Sequence, residues 1–483
     1  MSLQTANLSN LSVAAVPLVV DVDGTLVITD LLQEVALQFV ASQPLQAYRI
    51  AVWLAAGNAN LKSRLADRVG PGIETVPLRE EVLALIRDAQ NEGRPVYLAS
   101  ASDRRYVQAL AERIGGIAGV FGTENGTNLA GAAKADSLVR AFGAKGYDYV
   151  GDGLIDFAVW RSARKPLAVA HSAGFAARVM DTFPDATIVA RPRTALRAYV
   201  SALRVHQWAK NVLVFLPMIA GHRFDWGTIA ATVLAFLCFC CAASSAYVIN
   251  DLLDLPGDRD HPSKSRRPFA AGNIPITHGL GLAVLLMAGA FAFSLLLPWR
   301  FSGILGTYVA CTLGYSLLLK RKVLVDVIML GGLYTLRVFG GLAATDTRQT
   351  QWLLMFCLFL FLSLAVVKRC SELVANRAAG KMRAVGRGYR VEDLNVLLPL
   401  GAAAGYGAVF VVTLYLSSPE VVALYTHPNR MWLICPVLLY WISRVLILAN
   451  RGAVHEDPVT FALTDKTSWI TGLCVAGVIA VSI

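Results

Sequence analysis

The sequence predicts two folds in series. Residues 1–190 read as an α/β Rossmann-like domain with a helical cap at about 30–75, and residues 210–483 as an all-α multi-span membrane bundle of about nine transmembrane helices. A basic interfacial linker helix over 191–209 joins them. Three observations carry this. The 483-residue chain is 55% hydrophobic with a mean hydropathy of +0.53, too apolar for a soluble enzyme of that size. The apolarity is concentrated after about residue 210. Before that point short apolar strands alternate with helical stretches, the pattern of an open parallel sheet.

Charge and cysteine usage narrow the class. A net charge of +11 in a soluble chain would suggest nucleic acid. Here the basic residues lie mostly beside apolar spans, which points to anionic lipid and a phosphorylated substrate and away from a nucleic-acid partner. Seven of eight cysteines fall inside apolar runs and Cys370 ends one, so neither disulfides nor a zinc site is expected. Residues 1–20 lack the basic start and cleavage site of a signal peptide, so the N-terminal domain is expected to be cytoplasmic.

In chain order, Pro17–Val20 forms a short apolar strand that runs into Asp21-Val22-Asp23-Gly24-Thr25-Leu26. Residues 30–92 read mainly as helices, of which the first two form the cap. The run Tyr48–Ala56 is too short to span a bilayer; it either packs in the cap or rests on the membrane surface. The strand Val96–Leu98 leads to Ser100, Lys134 opens a helical stretch, and Tyr147–Val150 runs into Gly151-Asp152-Gly153-Leu154-Ile155-Asp156. Each of these polar residues lies at or just past a strand's C-terminal end, where open parallel sheets build their sites.

D-x-D-G-T-L followed in order by Ser100, Lys134 and G-D-G-x-x-D resembles the haloacid dehalogenase (HAD) superfamily. The resemblance implies that Asp21 attacks phosphorus to form an aspartyl-phosphate and that Asp23 protonates the leaving alcohol and later activates water. It implies that Ser100 and Lys134 neutralise the phosphoryl oxygens, while Asp21, Asp152 and Asp156 hold Mg²⁺. An inactive copy would be free to lose Asp21 or Lys134; both are kept, which favours an active phosphatase over a scaffold.

The linker, with Arg193, Arg197 and Arg204 among Leu196, Tyr199, Val200 and Leu203, suits a basic interfacial helix. Spans are expected at about 210–222, 228–250, 278–298, 301–319, 323–343, 350–368, 395–417, 429–449 and 466–483, the first being short. Basic residues crowd alternate loops: Arg259 to Arg267, Lys320 to Lys322, Lys368 to Arg390 (Arg383 among them), and Arg451 with Lys466. The other loops offer mainly Arg223, Arg300, Arg348 and Arg430. The first group is expected in the cytoplasm and the C-terminus outside.

The first basic loop is also acidic. In Asn250–Gly272, Asn250, Asp251, Asp254 and Asp258 precede Lys264, Arg266 and Arg267. On a continuing helix Asp251, Asp254 and Asp258 share one face. Three such carboxylates repel one another unless a cation sits between them, and an oxygen-only set suits Mg²⁺. Acids beside cations at a membrane-helix end read as a Mg²⁺–diphosphate site, against the plainer reading of a charged loop.

N-D-x-x-D-x-x-x-D resembles the first motif of the UbiA superfamily of intramembrane prenyltransferases. With its K-x-x-R-P-x-A-A-G ending, the string is more similar to the branch containing decaprenyl-phosphate phosphoribosyltransferase. HQWAKN, with Lys210 and Asn211, resembles the start of the membrane domain in that branch. The superfamily's second D-x-x-x-D corresponds here to Tyr315–Asp326, which holds one carboxylate, Asp326, beside Lys320, Arg321 and Lys322. Such a loop suits direct binding of phosphates. Arg337 lies inside an apolar span, where a cation is costly and usually functional. Its eleven-residue spacing from Asp326 makes pairing within one helix improbable. Lys368 and Arg369 close the sixth span much as in that branch.

The resemblance implies catalytic roles for Asp251 and Asp254, metal ligation by Asp251, Asp254 and Asp258, and substrate binding by Lys210, Asn211, Asn250, Lys264, Arg267, Tyr315, Lys320, Lys322, Arg337, Lys368 and Arg369. It implies Mg²⁺ as cofactor, and phosphoribosyl diphosphate and a polyprenyl phosphate as substrates, with the HAD domain removing the 5-phosphate of the product. An aromatic prenyltransferase with an unrelated phosphatase, and a transporter or scaffold, are the competing readings; self-association is left open.

Overall fold

The computed structural model describes residues 15–70, 72–124, 128–191, 195–346, 351–382, 387–418, 426–454 and 457–482. Arg193, Arg348 and Arg383 lie outside the described residues. The chain divides into two compact units, Met1–Ala202 with Ile249–Leu280, and Leu203–Val248 with Gly281–Ile483.

The first unit is built on six parallel strands, β1 (Leu18–Asp21), β2 (Val96–Asp103), β3 (Gly119–Thr123), β4 (Asp148–Gly151), β5 (Pro166–Val169) and β6 (Thr187–Ala190), in the order β3-β2-β1-β4-β5-β6. All of β1 and β4 is buried, and Val19, Val20, Tyr149 and Val150 are sealed from solvent. That is what a parallel sheet covered on both faces requires. The order reverses at β1, which pairs with β2 on one side and β4 on the other. A crevice opens at such a reversal, beyond the strands' C-terminal ends. Between β1 and β2 come α1 (Leu31–Ser42), α2 (Tyr48–Ala55), α3 (Asn58–Ala66) and α4 (Glu80–Asn91). Asp30 caps α1 by accepting the Gln33 N–H at 3.0 Å. Along α2 only Trp53 is buried, against Phe39 at 5.2 Å. Leu45, just before that helix, and Tyr48, Val52 and Leu54 within it are exposed. The Tyr48–Ala56 run therefore packs by one residue and leaves an apolar face open.

The second unit is helical. Seven helices among the described residues are long and apolar enough to cross a membrane: Trp226–Leu253, Ile276–Ser294, Trp299–Leu319, Val325–Ala344, Gln351–Ala378, Val391–Leu416 and Pro428–Asn450. The expected first and ninth spans are not among them. Residues 210–222 form the end of a 3₁₀ segment, Val205–Phe215, followed by the five-residue helix Leu216–Ala220. Pro217 at the start of that helix lacks an N–H and suits only a first turn. Lys466–Ser482 is an apolar helix of 17 residues, shorter than the seven.

Candidate active sites

The first site lies at the reversal of the sheet. Asp21 ends β1, and Asp152 and Asp156 follow β4. Gly24, at φ +75°, is required here: a Cβ would stand 2.2 Å from Asp152 Oδ2. Lys134, from the helix Ala132–Phe142, reaches Asp21 Oδ1 at 2.6 Å and Asp156 Oδ1 at 3.7 Å. Tyr149 accepts from Lys134 at 3.0 Å and donates to Asp156 at 2.8 Å. Asp156 Oδ2 also accepts the backbone N–H groups of Asp152 and Gly153, both at 3.1 Å.

Asp23 is held separately. Ser100 and Ser102 donate to its Oδ2 at 2.6 and 2.8 Å, and the Leu31 N–H donates to Oδ1 at 2.8 Å. The two carboxylates of D-x-D thus have different partners, an ammonium for Asp21 and neutral donors for Asp23. Thr25, Ser102 and Tyr149 belong to this network although the sequence reading passed over them. Ser102 was legible from period-two alternation, which puts it on the face of Ser100.

Burial above all pushes Asp21 well above the ordinary carboxylate value; Asp156 and Asp152 add repulsion and Lys134 opposes it. Burial works against the Lys134 ammonium too, but Asp21 and Asp156 prevail and hold its pKa above the usual value. Asp21, Asp152 and Asp156 each bring one oxygen within 4.8 Å of the others. An oxygen-only trio with so much unmet negative charge fits a divalent cation such as Mg²⁺.

The acidic segment behaves differently. Helical bonding runs through its break, since the Asp254 N–H reaches Asn250 O and the Asp258 N–H reaches Asp254 O, both at 2.9 Å. Pro256 offers no N–H, and helix Trp226–Leu253 gives way to the short helix Leu255–Arg259 with Asp254 between them. Asp251 and Asp258 do share a side, where Arg267 Nη1 meets Asp258 at 2.6 Å and Asp251 at 3.3 Å. Among the described residues only the trio around Asp21 meets the metal-site spacing; Asp251, Asp254 and Asp258 do not. Asn250 and Asp254 are half-buried and Lys264 is exposed.

In the second unit, Arg337 donates to Asn211 Oδ1 at 2.7 Å, to the Tyr308 hydroxyl at 2.9 Å and to its own helix at Leu333 O. It does not pair with Asp326. Lys210 and Lys368 instead converge on Asp457 Oδ2, at 2.9 and 3.0 Å, and the Tyr334 hydroxyl donates to the same carboxylate at 2.8 Å. Asp457 was missed because it lies in a connecting segment, His-Glu-Asp-Pro-Val, that matches neither aspartate-rich motif. Asp326 is sealed against Arg369, 2.5 Å away with both side chains fully buried, and accepts from Tyr389 at 2.6 Å. Arg369 also pairs with Glu372. Arg387 donates to Tyr315 at 2.8 Å, and Tyr315 opens a π-helical turn ending at Leu319. Lys320 follows half-buried and Lys322 exposed. The arrangement brings Lys210 and Lys368 onto Asp457 and joins Asn211 to Arg337, whose guanidinium lies over Tyr334. It sets Tyr315 and Arg369 in a second, ion-paired network around Asp326.

Comparison with known proteins finds two families along the chain. Residues 211–463 match the model of the UbiA prenyltransferase family, and residues 18–161 that of haloacid dehalogenase-like hydrolases. A protein of Sinorhizobium fredii, known as uncharacterized protein y4nM, is 33% identical over 95% of this chain and 90% of its own. Nodulation protein NoeC of Azorhizobium caulinodans is 34% identical over 58% of this chain and 90% of its own. Decaprenyl-phosphate phosphoribosyltransferase of Mycolicibacterium smegmatis is 29% identical over 60% of this chain and 94% of its own.

Proposed function

Starting from the UbiA prenyltransferase family, to which this chain belongs, we propose a bifunctional membrane enzyme that moves phosphoribose from phosphoribosyl diphosphate to a polyprenyl phosphate and then removes the 5-phosphate. The observation that carries the reading is the cationic centre of the bundle: Lys210 and Lys368 on the carboxylate of Asp457, and Arg337 over the ring of Tyr334, whose hydroxyl donates to the same carboxylate. Cations in that excess, Lys210 and Arg337 buried and Lys368 half-buried, suit a donor bearing both a diphosphate and a 5-phosphate. The likeness to a decaprenyl-phosphate phosphoribosyltransferase supports the same donor.

In the transfer, an oxygen of the lipid phosphate forms a bond to C1 of the ribose. The C1–O bond to diphosphate breaks and its electron pair leaves with diphosphate. The cations hold the phosphates, and Asp251 and Asp254 act at the leaving group. Asp251, Asp254 and Asp258 do not gather to metal-ligand spacing by themselves, so they would hold Mg²⁺ only with the diphosphate completing the set, and the ion would then supply further charge neutralisation.

The product carries a 5-phosphate, a substrate for the first unit. Asp21 attacks phosphorus while Asp23 gives its proton to the departing ribose oxygen. Water, deprotonated by Asp23, then frees Asp21 and releases phosphate. Ser100 and Lys134 bind the phosphoryl oxygens. Mg²⁺ at Asp21, Asp152 and Asp156 would offset charge on the transferring group.

By the positive-inside rule we put the acidic loop after Trp226–Leu253 on the cytoplasmic side of the cytoplasmic membrane, and the phosphatase site with it, which requires residues 205–220 to make a further crossing ahead of the seven spans. The test is to incubate the purified full chain with labelled phosphoribosyl diphosphate and a polyprenyl phosphate, then identify the lipid. A ribosyl lipid and free phosphate are expected. Coupling of a polyprenyl diphosphate to 4-hydroxybenzoate, with the ribosyl donor ignored, would return the aromatic prenyltransferase reading.

A further inference from the structure

The acidic segment Ile249–Leu280 connects two membrane-spanning helices, yet it folds as part of the phosphatase unit. One ion pair ties it there. Arg259 donates to both carboxylate oxygens of Glu34, Nη2 to Oε1 at 2.6 Å and Nη1 to Oε2 at 3.1 Å. The side chains are 6% and 2% exposed. Arg259 Nε reaches the carbonyl of Ala270 at 3.1 Å, so one guanidinium holds both arms of the segment. The planar fork fits this arrangement and an ammonium would not. Gly272, at φ +72°, presses close to the same unit: a Cβ there would stand 2.9 Å from Ile28.

The pair has a place in the wider geometry. Glu34 lies on α1, whose first residue, Leu31, donates its N–H to Asp23. Arg259 ends the short helix carrying Asp258, which grips Arg267. A single helix therefore reaches from the acid/base residue of one site to the anchor of the other. Neither Glu34 nor Arg259 has a role in the chemistry of either reaction. Three aspartates that do not gather on their own need something outside them to hold their segment in shape, and a buried bidentate pair is suited to that.

We propose that the Glu34–Arg259 pair is a clamp by which the phosphatase unit holds the acidic segment in its working form, so that Glu34 is a positioning residue for transfer although it belongs to the phosphatase fold. This rests on the reading of that segment as part of the transfer site.

The test uses the full chain in lipid nanodiscs, with Glu34→Gln, Arg259→Gln and the charge swap Glu34→Arg with Arg259→Glu. Hydrogen exchange over residues 255–272, phosphoribosyl transfer and hydrolysis of p-nitrophenyl phosphate are measured on each. Each single variant is expected to speed exchange in that segment by about tenfold or more and to lower transfer by about tenfold. Hydrolysis of p-nitrophenyl phosphate should stay within about twofold of wild type, and the swap should recover part of both losses. Unchanged exchange overturns the clamp. So does a single variant that transfers at the wild-type rate with its segment loosened, or one that loses hydrolysis in step with transfer. If the wild type transfers no phosphoribose, the proposed reaction fails, while the exchange data still decide whether the pair holds the segment.

Discussion

Two sets of three aspartates share the first unit, and the fold treats them in opposite ways. Asp21, Asp152 and Asp156 come from the ends of adjacent parallel strands and converge within 4.8 Å, with Lys134 among them. Asp251, Asp254 and Asp258 come from one stretch of chain and do not converge; Arg267 joins two of them. The difference is one of scaffolding. Strand register fixes the first set before any substrate arrives, so its repulsion is met by the sheet and by Lys134. A helix interrupted at Pro256 cannot impose such closeness, and the second set depends on cations brought by the loop or by a ligand. The first set should thus be sensitive to any change of charge, and the second to its loop partners as well.

The largest effect is expected where preorganisation is greatest. Asp21→Asn keeps the shape but removes the nucleophile, so hydrolysis should fall by about 10³-fold or more. Transfer should continue, and the variant should accumulate the 5-phosphorylated ribosyl lipid. Mass spectrometry of the lipids decides: the same phosphorylated product from wild type and variant would uncouple the phosphatase from the lipid.

Asp251→Ala or Asp254→Ala should lower transfer by about 10²-fold while p-nitrophenyl phosphate hydrolysis is spared. Near wild-type transfer at saturating Mg²⁺ would remove the metal role from this set and leave Arg267 as the partner its carboxylates are built for.

A smaller effect is expected from the second basic loop. Lys320→Ala and Lys322→Ala should raise the donor KM by about fivefold to tenfold with little change in kcat, because these half-buried and exposed cations contribute uniform binding. A fall in kcat at unchanged KM would move them to the reacting centre.

How much of this was legible in the sequence follows from the same contrast. The strand-end residues were readable because β1, β2 and β4 are short apolar runs whose ends name the site. The helical spacing of Asp251, Asp254 and Asp258 correctly put Asp251 and Asp258 on one side, but Pro256 and Arg267 decided how close they come. Asp457 was not readable, since its value lies in Lys210 and Lys368, hundreds and scores of positions away. The opposing role of Arg369, sealed against Asp326, was hidden in the same way: a basic motif looks alike whether it faces a substrate or a buried carboxylate. The first expected span, short already in the sequence, is not among the long helices because Pro217 and the 3₁₀ segment divide it.

The smallest effect concerns what the first site costs the fold. Asp30, the cap of α1, is pushed from 3.8 to about 6 by burial first and by the facing Asp23 carboxylate second; the Gln33 and Leu32 N–H groups and the Lys62 ammonium only partly offset this. Its folded pKa therefore lies above its unfolded value, so the folded chain binds the extra proton. The associated stability is fully present below about pH 4 and is lost as pH rises through about 6. Asp30→Asn keeps the oxygen that accepts the Gln33 N–H but carries no charge. At pH 8 it should stabilise the first unit by on the order of 2 kcal/mol, a rise of about 5 °C in the midpoint of thermal inactivation of p-nitrophenyl phosphate hydrolysis. As the assay pH is lowered towards 4 the gain should vanish. A gain that is equal at both ends of that range would assign the effect to capping or packing. No gain at pH 8 would mean that the crowding of acids around Asp23 is relieved by the fold itself, and the contrast between a costly, preformed site and a loosely held one would lose its energetic half.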